Sequence, residues 1–364
     1  MDHLSIKSVS SLTTPLLRSK SDRDFPICPP LRKLKFQVSL PMSKHAKVHE
    51  KNPKLGYSLY LAAATCWAIN GTVSKVVLLE VGDPLRVSQF RGTGTAIILT
   101  IFVALTNRKA FRIKPKEALL LAGYGIIGVA MCQWFYFESI SRMPITISLL
   151  IEFMAPIFVV LYARFVMHVS VRNTVWLGLG LAVFGLALVA QVWNGFTLDK
   201  LGVIFAIGSM TTLVFMYLLG DKASQGRDPV SLLMWAFIFA SIFFAVLRPW
   251  GSFPWDSLQA QVTPFEGGTA VYPIWPFFLF MVLIGTLVPY VLVINSIRHI
   301  GGPGASIMGM TEPPIAAIAA WLVLGEIFVL IQILGGIVML VGIVVAERAR
   351  EQAPHEALPE YETV

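Results

Sequence analysis

Two glutamates, one arginine and three prolines stand inside apolar stretches of this chain where a lipid-facing helix would not hold them. Glu152 lies in LLIEFMAPIFVVLYARFV (149–166), Glu312 precedes Pro313 and Pro314 in PGASIMGMTEPPIAAIAAWLVLGE (303–326), and Arg91 interrupts the run from 85 to 106. A carboxylate at membrane depth needs a partner or a water-filled space, and so usually faces a bundle interior. Proline removes a backbone donor and frees a carbonyl one turn earlier, here near Gly309 and Met310, where an amine or ammonium can be accepted. The chemistry on offer is recognition of a cationic group and uptake of a proton.

The spacing sharpens this. Ser148, Glu152, Ala155, Pro156 and Val159 fall on one face of a helix, so a hydroxyl, a carboxylate and a proline kink line a common stripe. At ~1.5 Å per residue, Glu152 lies roughly 10 Å from one end of its span, and Arg91 lies at nearly the same depth from the same end. Glu312 lies ~14 Å from the other end of its own span, near the middle of the core. Two readings of Glu152 follow: an ion pair with Arg91 or Lys75, or a substrate and proton site, which is the expectation adopted. Further cavity candidates are Trp67, Asn70, Gly71 and Ser74, then Gln133, Trp134 and Tyr136, then Tyr290 and Asn295; small and polar residues also pack helices together. Glu326 and His168 sit at helix ends and read as interfacial or capping groups.

The elements that must position these residues are membrane helices. The chain has 364 residues, 55% hydrophobic and 14% charged, with mean hydropathy +0.70, against about 25% charged in soluble domains. Strand-like alternation is absent, which disfavours a barrel. Ten spans are expected, near 57–79, 85–106, 118–137, 145–165, 173–192, 200–219, 230–248, 274–295, 303–324 and 328–346. With that division sixteen Lys/Arg flank one side and four the other, Arg86, Arg142, Lys200 and Arg248. The bias places both termini in the cytoplasm, with a plasma membrane as the default and an organelle membrane as the alternative.

Residues 1–56 carry eleven Lys/Arg and no long apolar run, and read as a disordered basic tail. Asp2, Asp22, Asp24 and Glu50 argue against a transit peptide. Residues 347–364 read as a second cytoplasmic tail. Cys28, Cys66 and Cys132 are too scattered for a metal site or a disulfide framework, and the two within spans read as apolar packing. The net charge of +8 is distributed as an orientation signal and not as a nucleic-acid patch. Neither a nucleophile elbow nor a zinc motif is present, and Gly304-Ala305-Ser306 with His299 makes a poor protease signal, so no enzyme, metal or cofactor is expected.

The chain also repeats itself. Gly56 recurs as Gly202 and Asp83-Pro84 as Asp228-Pro229, at separations of 146 and 145; Gly128, Ser139 and Ile140 recur as Gly285, Ser296 and Ile297 at 157, and Ser148 and Pro156 as Ser306 and Pro314 at 158. The jump is absorbed by the long loop 251–272. Five spans per half (57–192 and 200–346) force the second copy to enter from the opposite side, an inverted repeat with a site expected where the halves meet.

TEPPIAAIAAWLVLGE (311–326), LLIEFMAPIFVVLYARFV (149–166) and GGIVMLVGIVVAE (335–347) resemble the EamA family of the drug/metabolite transporter superfamily over about residues 57–346. The resemblance implies an all-α bundle of ten helices in two inverted repeats, a central cavity, and transport of small metabolites such as amino acids by alternating access. Met167-His168 stand where the second half has Gly325-Glu326, so the closing glutamate is missing from the first half. The expected function is secondary transport, export of amino acids or related compounds, with protons as the candidate coupling ion. The alternative is a sugar, nucleotide-sugar or phosphate-ester carrier, which needs several basic groups where these spans offer Lys75 and Arg91; a receptor or scaffold would instead have a filled core. The expected partners are the bilayer, a small-molecule substrate and protons; a homodimer is compatible with the sequence.

Overall fold

Helix starts are written as Asx-Pro pairs. The side chains of Asn52, Asp83 and Asp228 accept bonds from the backbone N–H groups of Leu55, of Leu85 and Arg86, and of Ser231, while the following proline sits where its missing donor costs nothing. Asp199 caps a fourth helix through the N–H of Gly202. Gly82, at φ 67°, ends the first helix in the left-handed conformation that glycine adopts without a Cβ clash.

The structure, a computed structural model, describes residues 51–143, 145–194, 199–262, 271–316, 318 and 329–351. The helices are α1 Pro53–Val81, α2 Pro84–Thr106, α3 Pro115–Arg142, α4 Ile145–Glu152, α5 Ala155–Phe165, α6 Asn173–Val189, α7 Lys200–Ser224, α8 Pro229–Leu247, α9 Trp275–Gly309 and α10 Leu330–Glu351. Among the described residues eight stretches are long and apolar enough to cross a membrane, with α6 a shorter apolar helix. A single short hairpin, β1 Gln261–Val262 against β2 Tyr272–Pro273, interrupts the described helical fold. The expected tail over 1–50, Glu326 and most of 347–364 lie outside the described residues.

Several helices outrun the boundaries expected from hydropathy. α1 begins at Pro53 and α3 runs to Arg142, because capped polar turns continue a helix past the apolar core. The gap expected between 295 and 303 is not a loop: α9 continues through it and breaks only at Gly301, whose φ of 75° and ψ of 168° are non-helical. Pro303 follows as a helix-starting residue. The proline segments are interrupted as their sequences foretell, α4 and α5 being separated at Phe153-Met154, and α9 being followed by a turn at Met310-Thr311 before helix resumes at Glu312.

The packing is reciprocal. α1 lies along α9, α3 along α7, α2 against α8, and α6 against α10. Tyr124, Phe237, Tyr290 and Met216 belong to the largest buried apolar cluster, and Leu179, Ala182, Met339 and Ile343 to a second one between α6 and α10. Ile97, Ile101, Leu105, Leu119, Leu177, Phe184 and Val246 are each more than half exposed. That outward apolar surface would be a liability in water and is the surface a bilayer covers.

Two arginines clasp loops at opposite ends of the repeat. Arg86, 2% exposed, donates to the carbonyls of Arg248, Pro249 and Ser252, to Ser252 Oγ and to Gln89. Arg227 donates to the carbonyls of Ala110 and Arg112 and pairs with Glu117 at 2.6 Å. Removing Arg86 takes away the donors that tie Pro249 and Ser252 to α2 and leaves the Arg248 carbonyl to Gln89 alone, at about 0.5–1.5 kcal/mol per bond lost. Arg86→Gln is therefore expected to lower the melting temperature in detergent by several degrees and to open the 248–262 loop to limited proteolysis; an unchanged melting curve would show that the loop holds without the clasp.

Candidate central cavity

α1 turns one polar stripe inwards. Tyr60, Trp67, Asn70, Gly71 and Ser74 recur at helical spacing and line a cavity of about 100 Å³. α2 contributes Arg91, α3 contributes Cys132, Gln133 and Tyr136, α4 ends on Glu152, α7 adds Leu213, Met216 and Tyr217, and α9 adds Tyr290; Glu312 starts the helical turn that follows the Met310-Thr311 break. Eight of the ten substrate-binding candidates therefore meet: Trp67, Asn70, Arg91, Gln133, Tyr136, Glu152, Tyr290 and Glu312.

Trp134 and Asn295 do not. The Trp134 indole donates to Glu138 and packs against Phe135 and Phe205, and Asn295 donates back to the Val291 carbonyl of its own helix. Cys132, Gln133 and Tyr136 take the cavity face of α3, and Trp134, about 100° further round the helix than Gln133, turns to Phe205 instead. Ser148 also departs from the expected stripe, since its hydroxyl pairs with that of Ser139 at 2.7 Å.

The alternative reading of Glu152, an ion pair with Arg91, is not what the structure shows, and the Lys75 side chain lies outside the described residues. Glu152 accepts from Ser209 Oγ at 2.7 Å. Arg91 donates through Nε to Thr286 Oγ1 at 2.9 Å and through Nη2 to the Gly285 carbonyl at 2.8 Å, with its guanidinium 4.9 Å from the Phe137 ring centroid. The reason is local to α9. Pro289 has no N–H for the carbonyl four residues earlier, the helix widens into π-type turns over Leu283–Leu287, and the Gly285 oxygen is left for Arg91. Glycine at 285 leaves room for the Asn70 amide, since a Cβ there would lie 2.1 Å from Asn70 Oδ1 and displace that side chain.

Glu312 makes no hydrogen bond or ion pair among the described residues, yet it lies within electrostatic reach of Glu152, and Tyr136 lies within reach of both carboxyl groups and of Arg91. Asn70 Oδ1 and Gln133 Oε1 are buried without a partner among the described residues. Gln133 Nε2 donates to Tyr290 Oη at 3.4 Å, and Tyr290 sits edge-on to Trp67 and Phe237. Pro156, Pro313 and Pro314 are each at the start of a resumed helix, so they break the paths and are not ligands. Among the described residues no His/Cys/Asp/Glu group is arranged for a metal ion.

Sequence reasoning missed Tyr60 and Tyr217, whose hydroxyls share a 2.5 Å hydrogen bond across the cavity. Tyr60 was legible, since it continues the Trp67-Gly71-Ser74 face by two turns towards the helix start. Tyr217 had a weaker signal in the Ser209, Thr212, Leu213 and Met216 face of α7.

The model of the EamA-like transporter family matches residues 54–191 and again 200–347. An uncharacterised transporter of Archaeoglobus fulgidus is 25% identical over 281 residues, covering 76% of this chain and 92% of its own. The threonine/homoserine exporter RhtA of Salmonella typhimurium is 26% identical over 266 residues, covering 72% of this chain and 81% of its own. A solved crystal structure superposes with a TM-score of 0.60 at 13% identity, over 81% of this chain and 98% of that one, a likeness of fold.

Proposed function

This chain belongs to the EamA-like transporter family, a family of multi-pass membrane transporters and not of enzymes, and from that premise we propose that it moves amino acids or closely related small metabolites by alternating access around the central cavity. The observation that carries the reading is the buried meeting of Arg91, Glu152 and Glu312 with the amides of Asn70 and Gln133 in one cavity. One positive and two negative groups, with unpaired acceptors beside them, suit a compound that carries an ammonium and a carboxylate. The exporter among the relatives supports small polar amino acids as first candidates, and export as the direction. A phosphate-ester substrate would call for several cations, and Arg91 is the one cationic side chain described on this cavity.

Alternating access in this reading rests on two inverted five-helix halves with ten crossings and both termini in the cytoplasm. Three features support it: the double family match, the reciprocal pairing of α1 with α9 and α3 with α7, and the length of α9. Its 35 residues would span ~52 Å as one helix, far more than a ~30 Å core, so the break at Gly301 separates a crossing from the start of its return. Two carboxyl groups on one cavity and within electrostatic reach of each other titrate as a coupled pair, so that one can hold a proton and release it as a substrate ammonium arrives, which makes protons the proposed coupling ion.

Counterflow of L-threonine and L-homoserine in proteoliposomes, with and without an imposed pH gradient, tests this. Saturable exchange, with accumulation that follows the gradient, is the expected result. Flux indifferent to the gradient would end proton coupling, and no flux for any amino acid would end the substrate assignment.

A further inference from the structure

The buried Arg91 is not a structural ion pair. It is 5% exposed, its two ligands are the neutral oxygens of Thr286 and Gly285, and it makes no further hydrogen bond and no ion pair among the described residues. A guanidinium has five N–H donors, so most of its fork is uncommitted. A cation taken out of water without an acidic partner is costly, and its place on the cavity wall is where a ligand can supply the missing charge.

The repeat shows that the helix contact does not need this arginine. At the offset of 145 that carries Asp83-Pro84 to Asp228-Pro229, Arg91 falls on Ala236. That alanine meets α3 backbone to backbone, so closely that a Cβ on Gly125 would lie 2.2 Å from the Ala236 carbonyl. One half of the molecule builds this crossing from alanine and glycine, and the other places an arginine there. In addition, Asn70 and Gln133, 5% and 7% exposed, each leave one amide oxygen without a partner among the described residues on the same cavity.

Building on the amino-acid reading above, we infer that Arg91 is the subsite for the substrate carboxylate, aimed by Thr286 and the Gly285 carbonyl, while the ammonium lies towards Glu312 and Glu152 with Asn70 and Gln133 as further acceptors. The fork geometry favours a planar carboxylate, which it can bind through two parallel N–H donors. Specificity follows: a compound that keeps the ammonium but replaces the carboxylate by an amide or an alcohol leaves Arg91 without a counter-charge.

The test compares L-threonine, L-threoninamide and L-threoninol as competitors of L-threonine counterflow and as ligands in calorimetry, with the full chain as wild type, Arg91→Lys and Arg91→Gln. In the wild type, the amide and the alcohol are expected to bind at least tenfold more weakly than threonine. Arg91→Gln should bring threonine and its amide to within threefold of each other, and Arg91→Lys should keep part of the preference. Equal affinity of the wild type for threonine and threoninamide overturns the carboxylate subsite, and so does a full preference retained in Arg91→Gln. Should Arg91→Gln fail to run as a single species on gel filtration, the wild-type series decides alone. Absence of any amino-acid exchange by the wild type brings down the amino-acid reading first and this subsite with it, whereas exchange without discrimination brings down the subsite only.

Discussion

Glutamine at position 152 is expected to abolish transport driven by a pH gradient, with flux falling at least ~100-fold, while the protein still inserts and stays monodisperse. The size of the effect follows from what the two carboxyl groups are asked to do. Glutamine keeps the shape and the hydrogen bond with Ser209, which sits 2.7 Å from Glu152, but it neither holds a proton nor carries charge. Each tenfold loss corresponds to ~1.4 kcal/mol, and an ammonium docked against a neutral amide in a water-poor cavity loses a charge-assisted bond worth ~1.5–3 kcal/mol. Loss of binding alone therefore accounts for ~10- to 150-fold, and loss of the proton site removes the driving force as well.

Glu312 tests the same idea from the other side. It has no partner among the described residues, so Glu312→Gln breaks no internal bond, and its effect reads function and not folding. Both variants belong in one proteoliposome series, since the repeat does not make them equivalents: with Pro156 and Pro314 aligned, Glu152 corresponds to Met310 and Glu312 to Met154. Unchanged gradient-driven flux in either variant would remove that glutamate from the mechanism.

The second large effect is expected at Gly342, where a bulky side chain should separate α6 from α10 and unfold the bundle. A Cβ on Gly342 would lie 2.4 Å from the Ala182 nitrogen and 2.6 Å from the Gly178 carbonyl; on Gly178 it would lie 2.4 Å from the Ala346 nitrogen, and on Gly185 it would lie 2.4 Å from the Met339 nitrogen. The two backbones are in contact along this seam, and in lipid such contact replaces the hydrophobic force that holds helices together in water. Leucine at Gly342 meets backbone on every side, so it costs more than the ~1–3 kcal/mol usual for overpacking. The expected outcome is a protein that aggregates in detergent or melts at least ~6 °C lower, taking ~2–4 °C per kcal/mol for larger domains. Gly336, on the same helix, has no described residue within 4 Å of where a Cβ would lie, and Gly336→Leu should leave the melting curve in place. Equal tolerance of both substitutions would show that the seam does not hold the bundle.

Much of the architecture was legible because its causes are local. Asx-Pro pairs start helices and proline interrupts the two carboxylate-bearing segments, whatever the neighbours are, whereas the single break at Gly301 inside α9 was not anticipated. Composition and span length establish a helical membrane protein, and the ordered recurrence of Gly56, Asp83-Pro84, Gly128 and Pro156 in the second half anticipates the double match to one family. The face of α1 that carries Trp67, Asn70 and Ser74 was legible for the same reason, since helical period alone puts them together.

The sequence by itself thus determined that two carboxylates and a guanidinium lie at membrane depth, and on which face of its own helix each one stands. The tertiary structure alone decided what they meet: Arg91 turns to Thr286 and the Gly285 carbonyl instead of Glu152, Glu152 turns to Ser209, Tyr60 finds Tyr217, and Trp134 and Asn295 turn away from the cavity. The physical reason is that periodicity sets a side chain's direction about its own axis, whereas the rotation and crossing of one helix against another depend on where glycine lets backbones touch. Gly125 lets α3 reach the Ala236 backbone, whereas Gly285 leaves room for the Asn70 side chain, and beside Gly285 stands an arginine that has no acidic partner among the described residues.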